Sequence, residues 1–222
     1  MTRPKSLPKN RPVPVPPGRL ILASGSPRRR EILTRMGLEF EIHPPDLDET
    51  PLPGEFPENL VVRLARSKAR AVAESLEPSR RRWVLGSDTV VVLDGETIGK
   101  PRDAEDAVQM LARLTGRTHR VITGIAVVDA LNGRAEEEAV TSEVIMRPAA
   151  EEEIRGYVAT GESLDKAGAY ALQGGGRRFV TQVVGSESNV IGLPIDATHA
   201  LLLRAAGDQH PPETNPSRQG IP

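Results

Sequence analysis

Ser24-Gly25-Ser26-Pro27-Arg28-Arg29-Arg30 brings small residues, free backbone amides and three guanidinium groups into one short stretch of chain. It follows the apolar run Leu20-Ile21-Leu22-Ala23 and precedes a segment that reads as a helix to Met36, stopped by Gly37. It is therefore a strand-to-helix junction, with Ser26 as the expected N-cap and Pro27 at the first helical position. The first N–H groups of such a helix lack intrahelical partners and, with the helix dipole, attract anions. Arginines in a first turn oppose that dipole. Their placement makes better sense against a phosphate, which guanidinium groups grip bidentately, than in a solvated basic turn. No Gly-x-x-x-x-Gly-Lys-[Ser/Thr] phosphate loop occurs in the chain.

Asp88 interrupts the run Val84-Leu85-Gly86-Ser87-Asp88-Thr89-Val90-Val91-Val92. Aspartate is a poor strand former, and its burial is costly unless it is paired. A two-residue hairpin turn at Asp94-Gly95 sets Leu93 against Glu96 and Thr89 against Lys100, whereas a one-residue bulge sets Lys100 against Asp88. Either register predicts an ion pair between Asp88 and Lys100. Lys68 lies four residues after Leu64 and four before Val72, beside the apolar stripe of a helix, a position from which lysines commonly snorkel to solvent. Asp46, Asp48 and Glu49 form an acidic cluster in a proline-rich loop. The four histidines have no metal-ligand spacing, and no Gly-x-Ser-x-Gly elbow is followed by suitable partners. A metal would therefore be held by carboxylate oxygens, which favour magnesium or manganese. A phosphate cradle, isolated carboxylates and several cations point to metal-assisted attack of water on a polyphosphate.

The elements that must hold these groups follow from periodicity. Strands are expected at Leu20–Ala23, Phe40–His43, Trp83–Leu93, Glu96–Gly99, Arg120–Asp129, Ala139–Met146 and Phe179–Val184. Helices are expected over about Glu58–Leu76, from the Asp103 cap to Gly116, over Ala149–Thr160 and over Pro194–Ala205, with a glycine-rich loop at 162–178. The fold class is α/β: one mixed, twisted sheet flanked by helices, in two lobes with a central cleft. Residues 1–18, with six prolines, and the polar residues 207–222 read as tails without a core, leaving 19–206 as the folded domain.

Hydrophobic residues at 38% and charged residues at 27% support a packed core and exclude wholesale disorder. Twenty-nine basic against thirty acidic residues argue against a general nucleic-acid partner, and 3% aromatics leave little surface for stacking bases. The absence of cysteine excludes disulfides, thiol nucleophiles and zinc ribbons. No apolar stretch is long enough to span a bilayer, and the basic N-terminus lacks an apolar run, so neither a membrane partner nor a secretory signal is expected and the expected setting is cytoplasmic.

Leu22-Ala23-Ser24-Gly25-Ser26-Pro27-Arg28-Arg29, Gly86-Ser87-Asp88-Thr89-Val90, Gly99-Lys100-Pro101-Arg102-Asp103, Asp165-Lys166-Ala167-Gly168-Ala169-Tyr170-Ala171-Leu172-Gln173-Gly174 and Gly192-Leu193-Pro194 together resemble the Maf family of nucleotide pyrophosphatases, in the same order and over about residues 20–206. The resemblance implies an ITPase-like fold and divalent-metal-dependent hydrolysis of a nucleoside triphosphate to monophosphate and diphosphate. It implies Asp88 as the catalytic acid/base and Arg28, Thr89 and Gln173 as positions that set substrate choice. Asp88-Thr89 with the later Ala171-Leu172-Gln173-Gly174 looks like the branch acting on dTTP and UTP, although Ala171-Leu172 replaces the more usual Gly-Ile. Ser24, Ser26, Arg28 and Arg29 would hold the triphosphate, Lys68 and Lys100 would neutralise developing charge, and Asp88 with Glu49 or Asp48 would hold the metal. Such house-cleaning enzymes also act on modified nucleotides. The competing readings are the sister branch that prefers 7-methyl-GTP and a non-catalytic regulator of septum formation; a homodimer is left open. If Gln173 reads a pyrimidine edge, Gln173→Glu loses dTTP hydrolysis in a diphosphate-release assay, and retention of that activity would remove Gln173 from base recognition.

Overall fold

The apolar runs assemble into one seven-stranded sheet. The structure is a computed structural model that describes residues 18–77 and 81–207, so the two expected tails fall, except for Gly18 and Gly207, outside the described residues. The strands are β1 (Arg19–Leu22), β2 (Phe40–Ile42), β3 (Arg82–Leu93), β4 (Glu96–Ile98), β5 (Thr118–Asp129), β6 (Ala135–Met146) and β7 (Val180–Val184). Their order is β2-β1-β3-β5-β6-β7, with β4 also on β3. The β2-β1-β3 side is parallel, and all other pairs are antiparallel. The helices are α1 (Pro27–Arg35), α2 (Pro57–Glu74), α3 (Ala104–Leu114), α4 (Glu151–Val158), α5 (Glu187–Ile191) and α6 (Ile195–Gly207).

The pairing of β3 creates a gap. β1 accompanies it only as far as Leu22 opposite Leu85, and β4 begins only at Ile98 opposite Val91. On its other edge β5 runs beside it continuously from Trp83 to Val92. Gly86 to Val90 therefore have no strand partner on one side among the described residues. The polar stretch that interrupts the apolar run of β3 is the one whose edge stays open.

Helix α2 covers one face of this region. Its stripe of Leu60, Val61, Leu64, Ala65, Ala69, Val72 and Ala73 is buried against the sheet. Close approach depends on two glycines. A Cβ on Gly86 would lie 2.0 Å from the Ala65 carbonyl oxygen, and one on Gly124 would lie 2.2 Å from that of Val61. Residues two apart on a strand share a face, so Gly86 and Asp88 both point toward α2, and Gly124 is the register partner of Asp88. The opposite face holds two apolar clusters. Leu20, Leu22, Ile32, Leu85 and Leu201 pack under α1 and α6, while Val91, Leu111, Leu114, Val121 and Phe179 pack under α3 and α4. Between them lies a polar seam. Ser87 Oγ donates to the Gly192 carbonyl at 3.1 Å, Thr89 and Thr123 hydroxyls are 3.0 Å apart, and Thr123 Oγ1 donates to the Asn189 carbonyl at 2.9 Å. One sheet thus serves both expected lobes.

Several local expectations hold. Asp103 caps α3 by accepting from the Asp106 N–H at 2.8 Å, and Asp94-Gly95 turns β3 into β4 with both residues at positive φ. Others change. β6 begins at Ala135 rather than at Ala139, because Glu136 to Glu138 also pair along β5. The expected loop at 162–178 holds two 3-10 turns, and α5 was not foreseen: its single turn is too short for periodicity to register.

Gly124→Ala should cost roughly 3 kcal/mol or more of stability, because a rigid helix backbone stands where the methyl must go. Gly156→Ala, in α4 with nothing within 4 Å, should instead stabilise by about 0.5–1 kcal/mol. Urea unfolding midpoints of the two variants test the contrast; equal effects would mean that α2 does not need the glycine.

Candidate active site

A cavity of about 590 Å³ opens at the gap in β3. Asp88, Thr89, Val90 and Val91 contribute from β3, Ser24 to Arg29 from the β1–α1 junction, and Leu60, Leu64 and Lys68 from α2. Glu49, Gly99, Lys100, part of the 165–172 segment and Val190 to Gly192 also line it. Of the residues expected at a site, Ser24, Ser26, Arg28, Arg29, Glu49, Lys68, Asp88, Thr89 and Lys100 are brought together here.

Asp88 is 8% exposed and Lys68 7%. The Lys68 ammonium donates to Asp88 Oδ1 at 2.6 Å and pairs with Glu49 Oε1 at 2.7 Å. Lys68 therefore does not snorkel to solvent: the closeness of α2 to the sheet lets its side chain reach the carboxylate, and pairing offsets the burial of both charges. This corrects the expected Asp88–Lys100 pair. The β3–β4 hairpin takes the two-residue register without a bulge, β4 ends at Ile98, and among the described residues Lys100 makes no ion pair. Its charge still reaches Glu49. Partial burial works to raise the Glu49 carboxyl, but the Lys68 hydrogen bond and the charges of Lys68, Lys100 and Arg29 outweigh it and hold the group below its ordinary range.

Arg29 and Arg28 have different surroundings. Arg29 donates to the Gly192 carbonyl at 2.9 Å, to Ser24 Oγ at 3.0 Å and to Thr89 Oγ1 at 3.2 Å. It binds the end of β1, the middle of β3 and the chain after α5 into one frame. Burial lowers its pKa from the ordinary value, opposed first by the charge of Asp88. Arg28 lines the cavity with no hydrogen bond or ion pair among the described residues. Ser26 occupies the N-cap position of α1, but its side chain does not cap; its N–H donates to Ser24 Oγ at 3.3 Å. The capping role expected for Ser26 is thus not realised.

Two expected residues lie elsewhere. Asp48 is exposed, accepts from the Thr50 N–H and hydroxyl within its own loop, and does not line the cavity. Gln173 is exposed and also outside the lining, to which its neighbours Tyr170 and Leu172 contribute. Residues given no role from the sequence include Asp165 and Lys166 in the wall, which were noted only as part of a motif, Asn189 and Thr123 in the seam, and His119. His119 Nε2 lies 2.8 Å from the Tyr170 hydroxyl, and burial pushes its pKa down to about 4. The Ser186-x-x-Asn189 cap spacing and the polar Thr123 within an apolar strand were the available signals.

Glu49 and Asp88 converge on one cation, the Lys68 ammonium, and their oxygens suit a hard divalent ion. Among the described residues no group of three or more His, Cys, Asp or Glu side chains could hold a metal. Further ligands would thus have to come from phosphate oxygens and water. No helix of the described residues is long and apolar enough to cross a membrane.

The family described as Maf-like protein matches residues 19–205. The chain is 53% identical over 190 residues to the dTTP/UTP pyrophosphatase of Anaeromyxobacter dehalogenans strain 2CP-1, covering 84% of this chain and 94% of that one. It is 51% identical over 176 residues to the protein of the same name from Geobacter sp. strain M21, covering 79% and 90% respectively. A solved structure of a nucleoside-triphosphatase/dITP/XTP pyrophosphatase from Mycobacterium abscessus aligns over 58% of this chain and 74% of that one, at 16% identity and a TM-score of 0.35, too distant to bear on fold or activity.

The loop that carries Glu49 is clipped to α2 by Glu55, which accepts from Arg63 at 2.6 and 2.7 Å and from the Leu52 N–H at 3.1 Å. The Arg63 hydrogen bond holds the Glu55 carboxyl at about 2, below its ordinary 4.5. A carboxyl lowered on folding stabilises fully above its unfolded value and loses that contribution as pH falls through the folded one. Wild type and Glu55→Gln should therefore differ in urea midpoint above pH 4.5 and converge toward pH 2. A gap independent of pH would show that the charge is not responsible.

Proposed function

The chain belongs to the Maf-like protein family, and on that premise we propose that it is a nucleoside triphosphate pyrophosphatase that hydrolyses dTTP and UTP to the monophosphate and diphosphate. Relatives at about half identity bearing the name dTTP/UTP pyrophosphatase support the substrate pair. The observation that carries the chemistry is the Asp88–Lys68 pair on the open edge of β3, in the same cavity as the Ser24–Arg28 turn. The lining has five cationic and three anionic side chains, an excess of two positive charges suited to a triphosphate.

In the proposed mechanism, amides and hydroxyls of Ser24 to Arg28 hold the phosphates, with Arg28 free to grip them. Arg29 positions this turn against Thr89 rather than meeting substrate alone. Lys68 holds one carboxylate oxygen of Asp88, and Oδ2 has no hydrogen bond among the described residues. Asp88 takes a proton from water as the water oxygen bonds to the α-phosphorus. The α–β phosphoanhydride bond breaks and the electron pair leaves with diphosphate, whose charge Lys100 and Arg28 stabilise. Glu49 and Asp88 would hold a magnesium or manganese ion, which supplies charge neutralisation on the phosphate oxygens. Clearing non-standard pyrimidine nucleotides is the proposed house-cleaning role.

Purified protein should release diphosphate from dTTP and UTP, lose that activity in EDTA, and prefer both to 7-methyl-GTP. Asp88→Asn should keep its circular dichroism spectrum and lose about 10²–10⁴-fold in kcat. Full turnover by that variant would end the assignment, and preference for 7-methyl-GTP would move the chain to the sister branch.

A further inference from the structure

The cavity's cations are not equally engaged. Arg29 is bound by three hydrogen bonds and Lys68 by two carboxylates. Arg28 and Lys100 have no hydrogen bond or ion pair among the described residues. Lys166 differs from all of these. Its side chain is only 12% exposed and lines the cavity, yet its one ion-pair partner among the described residues is Asp165, the adjacent residue, whose own side chain is 69% exposed. An ion pair that is mostly hydrated on one side returns little for burying an ammonium.

The segment that carries Lys166 is held firmly. The Gly168 N–H donates to the Gly99 carbonyl at 3.0 Å, tying the turn to the residue just before Lys100. Ala169, fully buried, takes a left-handed φ of 58°, which costs an L-residue about 1 kcal/mol or more. Asp165 lines the cavity beside Lys166 and also feels the charge of Arg28. Partial burial works to raise its carboxyl, but the Lys166 hydrogen bond and the charges of Lys166 and Arg28 hold it below the usual range.

We propose that Lys166 is a third phosphate-contacting cation alongside Arg28 and Lys100, and that Asp165 is an internal counter-anion which a substrate phosphate displaces from it. The proposal rests on the cavity being a polyphosphate site, but not on which base it accepts. It makes neighbouring residues act with opposite sign: Lys166 aids binding and Asp165 competes with the ligand.

Isothermal titration of the full chain with inorganic tripolyphosphate in EDTA tests this without turnover. Lys166→Met, which keeps the apolar stem, should weaken binding about tenfold, the loss expected for one charge-assisted hydrogen bond. Asp165→Asn should tighten it about threefold by removing a nearby like charge of the ligand. Thermal melts confirm that both variants fold, and KM for dTTP should move in the same two directions. Unchanged binding by Lys166→Met overturns the proposal, as does weaker binding by Asp165→Asn, which would make Asp165 an orienting partner. Opposite shifts in tripolyphosphate binding without any dTTP hydrolysis would uphold the pair and overturn the substrate reading instead. A wild type that binds no tripolyphosphate would overturn both.

Discussion

The Lys68 ammonium, shared between Asp88 on the sheet and Glu49 on a loop, is the interaction on which the rest of this structure depends. A carboxylate in the middle of a long buried strand demands a cation within reach, and here that cation comes from outside the strand's own hairpin. That requirement sets the height of α2 above the sheet. Gly86 and Gly124 flank the position of Asp88 on the face that α2 covers, and both have helix carbonyls where a Cβ would stand. The two glycines and the lysine form a single device: remove the methyls, lower the helix, and the ammonium meets the carboxylate.

The gap in β3 makes the same place accessible. β1 stops before Asp88 and β4 starts after it, so the strand is supported on one edge and open on the other. An open edge in a buried region exposes polar groups that need partners. Here that edge faces a cavity, and the chain ends that leave β1 and β4 carry the Ser24–Arg29 turn and Lys100 to its rim. On the opposite face the seam of Ser87, Thr89, Thr123, Asn189 and Arg29 performs the complementary task. Each of its hydrogen bonds adds only about 1 kcal/mol, but an unmatched polar group in that layer costs more, and this selects one arrangement.

Electrostatically the cavity's cations are held to differing degrees. Lys68 is gripped by two carboxylates and Arg29 by neutral oxygens, whereas Lys166 pairs with a hydrated neighbour. This grading separates groups that hold the framework from groups available to a phosphate. The helix N-terminus of α1 adds its dipole to the same region, and the clip between Glu55 and Arg63 fixes the loop that delivers Glu49.

Local chemistry was legible in the amino-acid sequence. The strand-to-helix junction at Ser24–Arg30, the Asp103 cap, the Asp94-Gly95 turn and the anomaly of Asp88 follow from short-range rules about dipoles, dihedrals and the cost of burying charge. The sheet's mixed character followed from the order of those elements, and the motif series pointed to the family. What lay beyond reach was partnership across distance. Lys100, near in the hairpin, looked like the partner of Asp88, and Lys68, which the resemblance placed at the site, looked by its position beside an apolar stripe like a surface lysine. Gln173 and Asp48 carried the right atoms but lie outside the cavity lining. The register of a hairpin is written in its turn, but how closely a helix settles onto a sheet depends on glycines in two separate strands. Only tertiary packing could therefore decide which cation Asp88 would meet.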